Sequence, residues 1–160
     1  MLAKLVSVIK RAVGIGEPSA SSIVWQRERR VLQALRVAAL EDQPYNLAGR
    51  YSWLTSPWTG CELQIDIFFP KITHVAGTKL VRPESLAIEV QSTLHDGKWT
   101  SSKRRFFRSK EDFDHYTRNQ EWKRKQILAR HIPFIEIDPD KDDLSPKTLR
   151  RAISKALGLL

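Results

Sequence analysis

The sequence is poor in the residues that cross-link or anchor a small protein. It holds one cysteine, Cys61, among 160 residues. An intramolecular disulfide and a cysteine-rich zinc site are therefore excluded, and a reducing, cytoplasmic location is expected. The four histidines, His74, His95, His115 and His131, fall at no metal-ligand spacing of the H-E-x-x-H kind. No apolar run approaches the roughly 20 residues needed to cross a bilayer. The apolar opening stretch is broken by Lys4, Lys10 and Arg11, which a secretory signal does not tolerate. No integral membrane association is expected. Acidic residues are in deficit, with 18 Asp and Glu against 27 Lys and Arg, leaving a formal charge of +9. A surface of that sign attracts polyanions, nucleic acid first and acidic membrane second. Charge alone does not separate an enzyme from a passive binder.

What is present reads as one domain with a short N-terminal extension. Residues 1–17 hold an amphipathic helix (LAKLVSVIKRAV, 2–13) and a Gly- and Pro-bearing linker. Residues 18–160 form the domain proper. Ser21 or Ser22 caps a helix ending near Leu40, and a loop follows over 41–50. Tyr51 to Leu54 and Cys61 to Phe69 read as two strands around a turn at 56–60, the second stopped by Pro70. Residues 71–84, with Gly77 and Pro83, read as loop. Leu86 to Gln91 is a third strand, Ser109 starts a helix running to about His131, and 133–137 is a fourth strand. Ser145-Pro146 opens the last helix, to about Leu157. Strands framed by helices in this order predict an α/β fold, a mixed four-stranded sheet with helices on both faces.

Three acids occupy places where a purely structural design puts apolar residues. Side chains alternate along a strand, so Leu63, Ile65, Ile67 and Phe69 share one face, with Gln64, Asp66 and Phe68 on the other. In Leu86 to Gln91, Ala87, Glu89 and Gln91 share a face opposite Leu86, Ile88 and Val90. If these strands are neighbours, Asp66 and Glu89 converge. At about 100° per residue, Glu28 falls within the apolar stripe of Val24, Val31, Leu32, Leu35, Ala38 and Ala39. A carboxylate on the core side of a helix is costly unless paired or liganded. Taken singly, each acid has a plain structural explanation, a solvated strand face or an arginine partner. Jointly they suit a hard divalent cation, Mg²⁺ or Mn²⁺, which beside a basic surface suits phosphodiester hydrolysis.

Over residues 22–138 this pattern resembles the PD-(D/E)XK nuclease superfamily. Asp66 in QIDIFF matches the first acid, Glu89-Val90-Gln91 matches (D/E)-x-K, and Glu28 matches the helical acid. The resemblance implies a restriction-endonuclease-like α-β-β-β-α-β core with additional N- and C-terminal helices. It implies metal ligation by Asp66, Glu89 and the Val90 carbonyl, with Glu28 binding through water or holding a second ion. The departure is Gln91, which stands in the lysine place. It positions a water by hydrogen bonds but carries no charge. Lys123 is the first choice for a compensating cation, because Tyr116, Gln120, Lys123 and Ile127 recur along one helix face.

The expected function is that of a metal-dependent endodeoxyribonuclease, structure-specific in the manner of a junction resolvase or repair nuclease. DNA is the partner, and a homodimer built through the N-terminal helix fits a resolvase. A non-catalytic nucleic-acid binder with a degenerate site is the alternative. A partner- or membrane-surface protein using residues 2–13 is a third reading. The expected phosphate contacts are Lys98, Lys103, Arg104, Arg105 and Arg108. Phe106 and Phe107 read as core first and base-stacking groups second, and Trp53 and Trp58 as packing residues. His95, close in sequence to the motif, reads as a bystander first and an auxiliary base second.

Overall fold

The computed structural model describes residues 20–92 and 96–160, with side chains from Trp25 onward. The helix expected over 2–13, its linker and His95 lie outside the described residues. Helix α1 (Ala20–Leu35) continues as a π-helical turn, Arg36–Leu40. Strands β1 (Asn46–Thr55), β2 (Glu62–Val75) and β3 (Thr78–Val90) follow. A 3-10 turn (Ser101–Arg105), helix α2 (Lys110–Ala129), strand β4 (Phe134–Ile137) and helix α3 (Pro146–Ala156) complete the order. The sheet runs β1-β2-β3-β4. Its first two pairings are antiparallel, and β3 pairs with β4 in parallel. A parallel pair needs a crossover, and α2 supplies it.

Helices cover both faces, as the order of elements predicts. On one face Val31 and Leu35 of α1 and Leu149 and Ile153 of α3 pack against Ile67, Phe69, Leu86 and Ile88. On the other, Ile127 of α2 packs with Leu54, Phe68 and Ala87. Each of these apolar side chains contributes on the order of 1.5–3 kcal/mol when fully buried. Helix starts are chemically marked. The Ser109 hydroxyl accepts from the Asp112 N–H at 3.1 Å, and Ser145 caps α3 with Pro146 in its first turn.

Strand β1 begins at Asn46, inside the loop expected over 41–50, and two further expectations about the strands are corrected. Residues 71–84 form no loop but the far half of a long hairpin, joined by a two-residue turn in which Ala76 and Gly77 both have positive φ, 48° and 80°. Paired positive φ values match the right-handed strand twist and close a tight hairpin. The prolines that suggested breaks are tolerated where the ladder is weak. Pro70 lies in a register shift between Phe69 and Ile72. Pro83 lies on the part of β3 that precedes its pairing with β4, which begins at Ala87. The second correction concerns alternation. Ile67 and Phe69 face α1 as expected, whereas Ile65 joins the α2 side, with Leu63 packed against that same cluster. The β1–β2 ladder is irregular nearby, between Arg50 and Thr55, and the sheet curls there toward α2.

Candidate active site

The three acids come from three elements. Glu28 projects from α1, Asp66 from the middle of β2, and Glu89 from the penultimate position of β3. Residues Ile67 and Ile88 are direct partners across the β2–β3 ladder, which sets Asp66 and Glu89 in neighbouring positions. All three line one cavity of about 280 Å³, together with Val90 and Lys123. The Asp66 carboxylate accepts the Val90 N–H at 2.9 Å, so the first acid is tied directly to the backbone of the E-x-Q segment. The Val90 side chain packs into the core on the opposite face.

Burial dominates the electrostatics. Glu28 and Glu89 are only 4% and 3% exposed. Desolvation raises the Glu28 carboxyl from 4.5 to about 7, helped by the Asp66 charge and opposed by Lys123. Desolvation likewise raises Glu89 to about 8, with Lys123 pulling it down and Asp66 pushing it up. Tyr116, half-buried between these acids, has its phenol raised by burial and then by Asp66 and Glu89. It stays protonated across the physiological range.

Lys123 is buried at the wall of the same cavity. Its ammonium sits 2.5 Å from Glu89 Oε2 and donates to the Gln64 carbonyl at 3.0 Å. A buried cation from α2 thus stands against Glu89. Gln91 has a different place. It lines an adjoining trough of about 390 Å³ on the far side of Glu89 and Lys123, and not the cavity of Asp66. Its backbone is held at both ends, with its N–H donating to Ile137 and its carbonyl accepting from Arg27.

Sequence reasoning missed Arg27. It is part-buried and joins three segments. It donates to the Gln91 carbonyl at 2.8 Å and to Asp138 at 3.3 Å, and pairs with Asp140. It therefore pins α1, and with it Glu28, to the ends of β3 and β4. Its charge is spent on Asp138 and Asp140, which leaves Lys123 as the cation paired within the acidic cluster. Tyr116, Asn119 and Gln120 also line the cavity. The spacing that singled out Lys123 points to the same helix face.

The basic segment divides. Lys98, Arg104, Arg105 and Arg108 are exposed, as phosphate contacts require. Lys103 is a correction. At 2% exposure its ammonium bonds Asp96 and the Lys98 carbonyl, and it lies 4.6 Å from the Phe113 ring centroid. A cation enclosed by a carboxylate, a carbonyl and an aromatic face has no free contact for a phosphate; it staples the segment to α2. Phe107 packs on Phe113 and Tyr116, while Phe106 is exposed.

The donor set has the chemistry of a hard-cation site. Three carboxylates meet one lysine, and Glu89 Oε1 is buried with no hydrogen-bond partner. A buried carboxyl oxygen without a donor is costly to ionise, in keeping with the burial that raises the Glu89 carboxyl. Among the described residues no group of three or more His, Cys, Asp and Glu stands ready in ligand geometry. Glu89 is turned to Lys123 and Asp66 to the Val90 N–H. The oxygens are of the right kind and number for Mg²⁺ or Mn²⁺.

These shifts make stability depend on pH. Both folded carboxyls hold protons to higher pH than the unfolded value of 4.5. The folded state therefore binds more protons in that window. The contribution is complete below about pH 4.5 and is lost as pH rises through about 7 and about 8. Denaturation in EDTA at about pH 5 and about pH 9 is expected to show a fall of a few kcal/mol. Glu28→Gln, which removes one of the two titrations, is expected to flatten it.

No helix among the described residues is long and apolar enough to cross a membrane. No protein-family model, curated protein or solved structure matches the chain.

Proposed function

We propose that the protein is a metal-dependent endodeoxyribonuclease of the PD-(D/E)XK type, with a restriction-endonuclease-like core. The observation that carries this reading is the convergence of Glu28, Asp66 and Glu89, from three separate elements, on one cavity that also holds a buried lysine. A scaffold without such a function gains nothing from this arrangement, because each buried charge costs free energy.

Asp66, Glu89 and the Val90 carbonyl would hold Mg²⁺ or Mn²⁺, with Glu28 beside them. A divalent ion so held polarises a phosphodiester, lowers the pKa of a water and neutralises developing charge. The chain's own residues do the rest. Lys123, fixed between Glu89 and the Gln64 carbonyl, presents a positive charge at the cavity wall, where it would offset the negative charge that grows on the oxygens of the pentacoordinate phosphorus. The Tyr116 phenol keeps its proton and remains a donor. Arg27 holds α1 in register so that Glu28 faces Asp66. The exposed Lys98, Arg104, Arg105 and Arg108 would bind phosphates of the DNA backbone, which makes binding fall with salt.

Incubation of the purified chain with labelled single-stranded, duplex and four-way-junction DNA is the direct test. Cleavage in Mg²⁺ or Mn²⁺ that ceases in EDTA is expected. Binding to all three probes with no cleavage in either metal would leave a basic binding module and end the catalytic reading.

A further inference from the structure

One aromatic cluster lies beside the cavity without belonging to it. Trp58 stands on the β1–β2 turn and remains 47% exposed. The edge of Trp122 meets it at 6.1 Å between centroids and 70° between planes. The Arg118 guanidinium lies 5.6 Å from its ring centroid. Trp122 is itself fixed, donating its indole N–H to the Thr55 carbonyl at 3.0 Å. The turn is fixed as well. The Ser56 hydroxyl donates to Asn119 Oδ1 at 2.7 Å and accepts the Trp58 N–H at 3.3 Å, and the Gly60 N–H closes onto the Ser56 carbonyl.

Asn119 is the link to the acids, since it lines the cavity of Glu28, Asp66 and Glu89. Trp58 is two residues from the hydroxyl that Asn119 receives, and Arg118 is its neighbour on α2. Cluster and cavity are therefore parts of one rigid piece. A large aromatic side chain left nearly half in water gives up burial that a turn of this kind would ordinarily seek. It gains a use if a flat ligand covers it.

We propose that Trp58 and Arg118 form a stacking platform for an unpaired base of DNA next to the carboxylate cavity, so that the favoured substrate is single-stranded or locally unpaired. The inference rests on the nuclease reading for what happens at the cavity. The bases of a duplex have their faces covered by neighbours, whereas an unpaired base offers its face to an indole. Arg118 adds a cation both to the stack and to the adjoining phosphate, and the +9 charge of the chain favours a polyanion over a neutral occupant.

The test measures fluorescence anisotropy of labelled oligothymidylate and of a blunt duplex of equal length, at one salt concentration and in EDTA. The full chain, Trp58→Ala and Trp58→Phe are compared. The wild-type chain is expected to bind the single strand more tightly. Trp58→Ala is expected to weaken single-strand binding roughly tenfold and to leave the duplex nearly unchanged, with Trp58→Phe restoring most of the loss. Equal losses on both probes, no loss, or a wild-type chain that binds neither probe would overturn the platform. So would a change in oligomeric state in Trp58→Ala with DNA binding intact. Because binding is read in EDTA, the two readings fail separately. A single-strand preference that needs Trp58, without cleavage in Mg²⁺ or Mn²⁺, ends the nuclease reading alone. Metal-dependent cleavage with binding indifferent to Trp58 ends the platform alone.

Discussion

Asp66→Asn is expected to abolish cleavage, by at least about a thousandfold, in a protein as stable as the parent or more so. The substitution keeps the shape of the side chain. Its amide oxygen still accepts the Val90 N–H, the bond the carboxylate makes at 2.9 Å, so β2 and β3 stay tied. What disappears is the negative charge that Asp66 sets beside two carboxyls already pushed toward their protonated form. Asp66 raises the carboxyls of both Glu28 and Glu89, and its neutralisation relieves both. Stability therefore moves opposite to activity, the usual signature of a site held together against electrostatic cost. Single-turnover cleavage and urea unfolding of the same preparation decide the matter. A variant that loses stability and activity together would make Asp66 a structural residue.

The second large effect belongs to Lys123. The side chains of Lys123 and Glu89 are 6% and 4% exposed, and removing one member of such a pair leaves the other charge buried alone. Above about pH 8, where Glu89 has lost its proton, Lys123→Met is expected to cost about 3–5 kcal/mol. Cleavage is expected to fall by about a hundredfold or more, since the charge at the cavity wall is lost with it. Replacing both members, Glu89→Leu with Lys123→Met, is expected to recover most of the stability and none of the cleavage. Apolar replacement of a whole buried pair is often neutral or stabilising. A single variant that loses less than about 1 kcal/mol would mean that Glu89 takes up a proton in place of its partner.

The acidic cluster was legible in the sequence because burial and alternation are periodic signals. Glu28 broke a helical stripe, Asp66 and Glu89 broke strand faces, and Lys123 shared a face with Ile127. All four lie in elements whose type follows from local pattern. The parts that escaped depend on partners remote in sequence. Lys103 sits in a run of cations that reads as a phosphate grip. Its burial follows from Asp96 and from the Phe113 ring, and no local pattern announces either. Arg27 lies off the apolar stripe of its helix, and its partners Asp138 and Asp140 are more than 100 residues away in the chain. Pro70 and Pro83 read as strand breaks because a proline costs a ladder bond in a regular, paired strand. Only the three-dimensional ladder reveals that one falls at an irregularity and the other ahead of the β4 pairing. Trp58 read as packing because aromatic residues usually bury, and its exposure depends on how far Trp122 reaches.

The parallel pairing of β3 with β4 fixes the order in which the chain acquires its charges. Strands β1 to β3 form a meander of near-neighbour contacts, the kind that closes early and quickly. Strand β4 reaches β3 only after the whole of α2 has been laid across the sheet. Loop closure of that span is the slower event. A chain that folds in this order would carry Asp66 and Glu89 side by side before Lys123 arrives. Docking of α2 is at once the step that completes the fold and the step that neutralises the cluster. Divalent ions present during refolding should speed that step by screening the acids in the cation's absence.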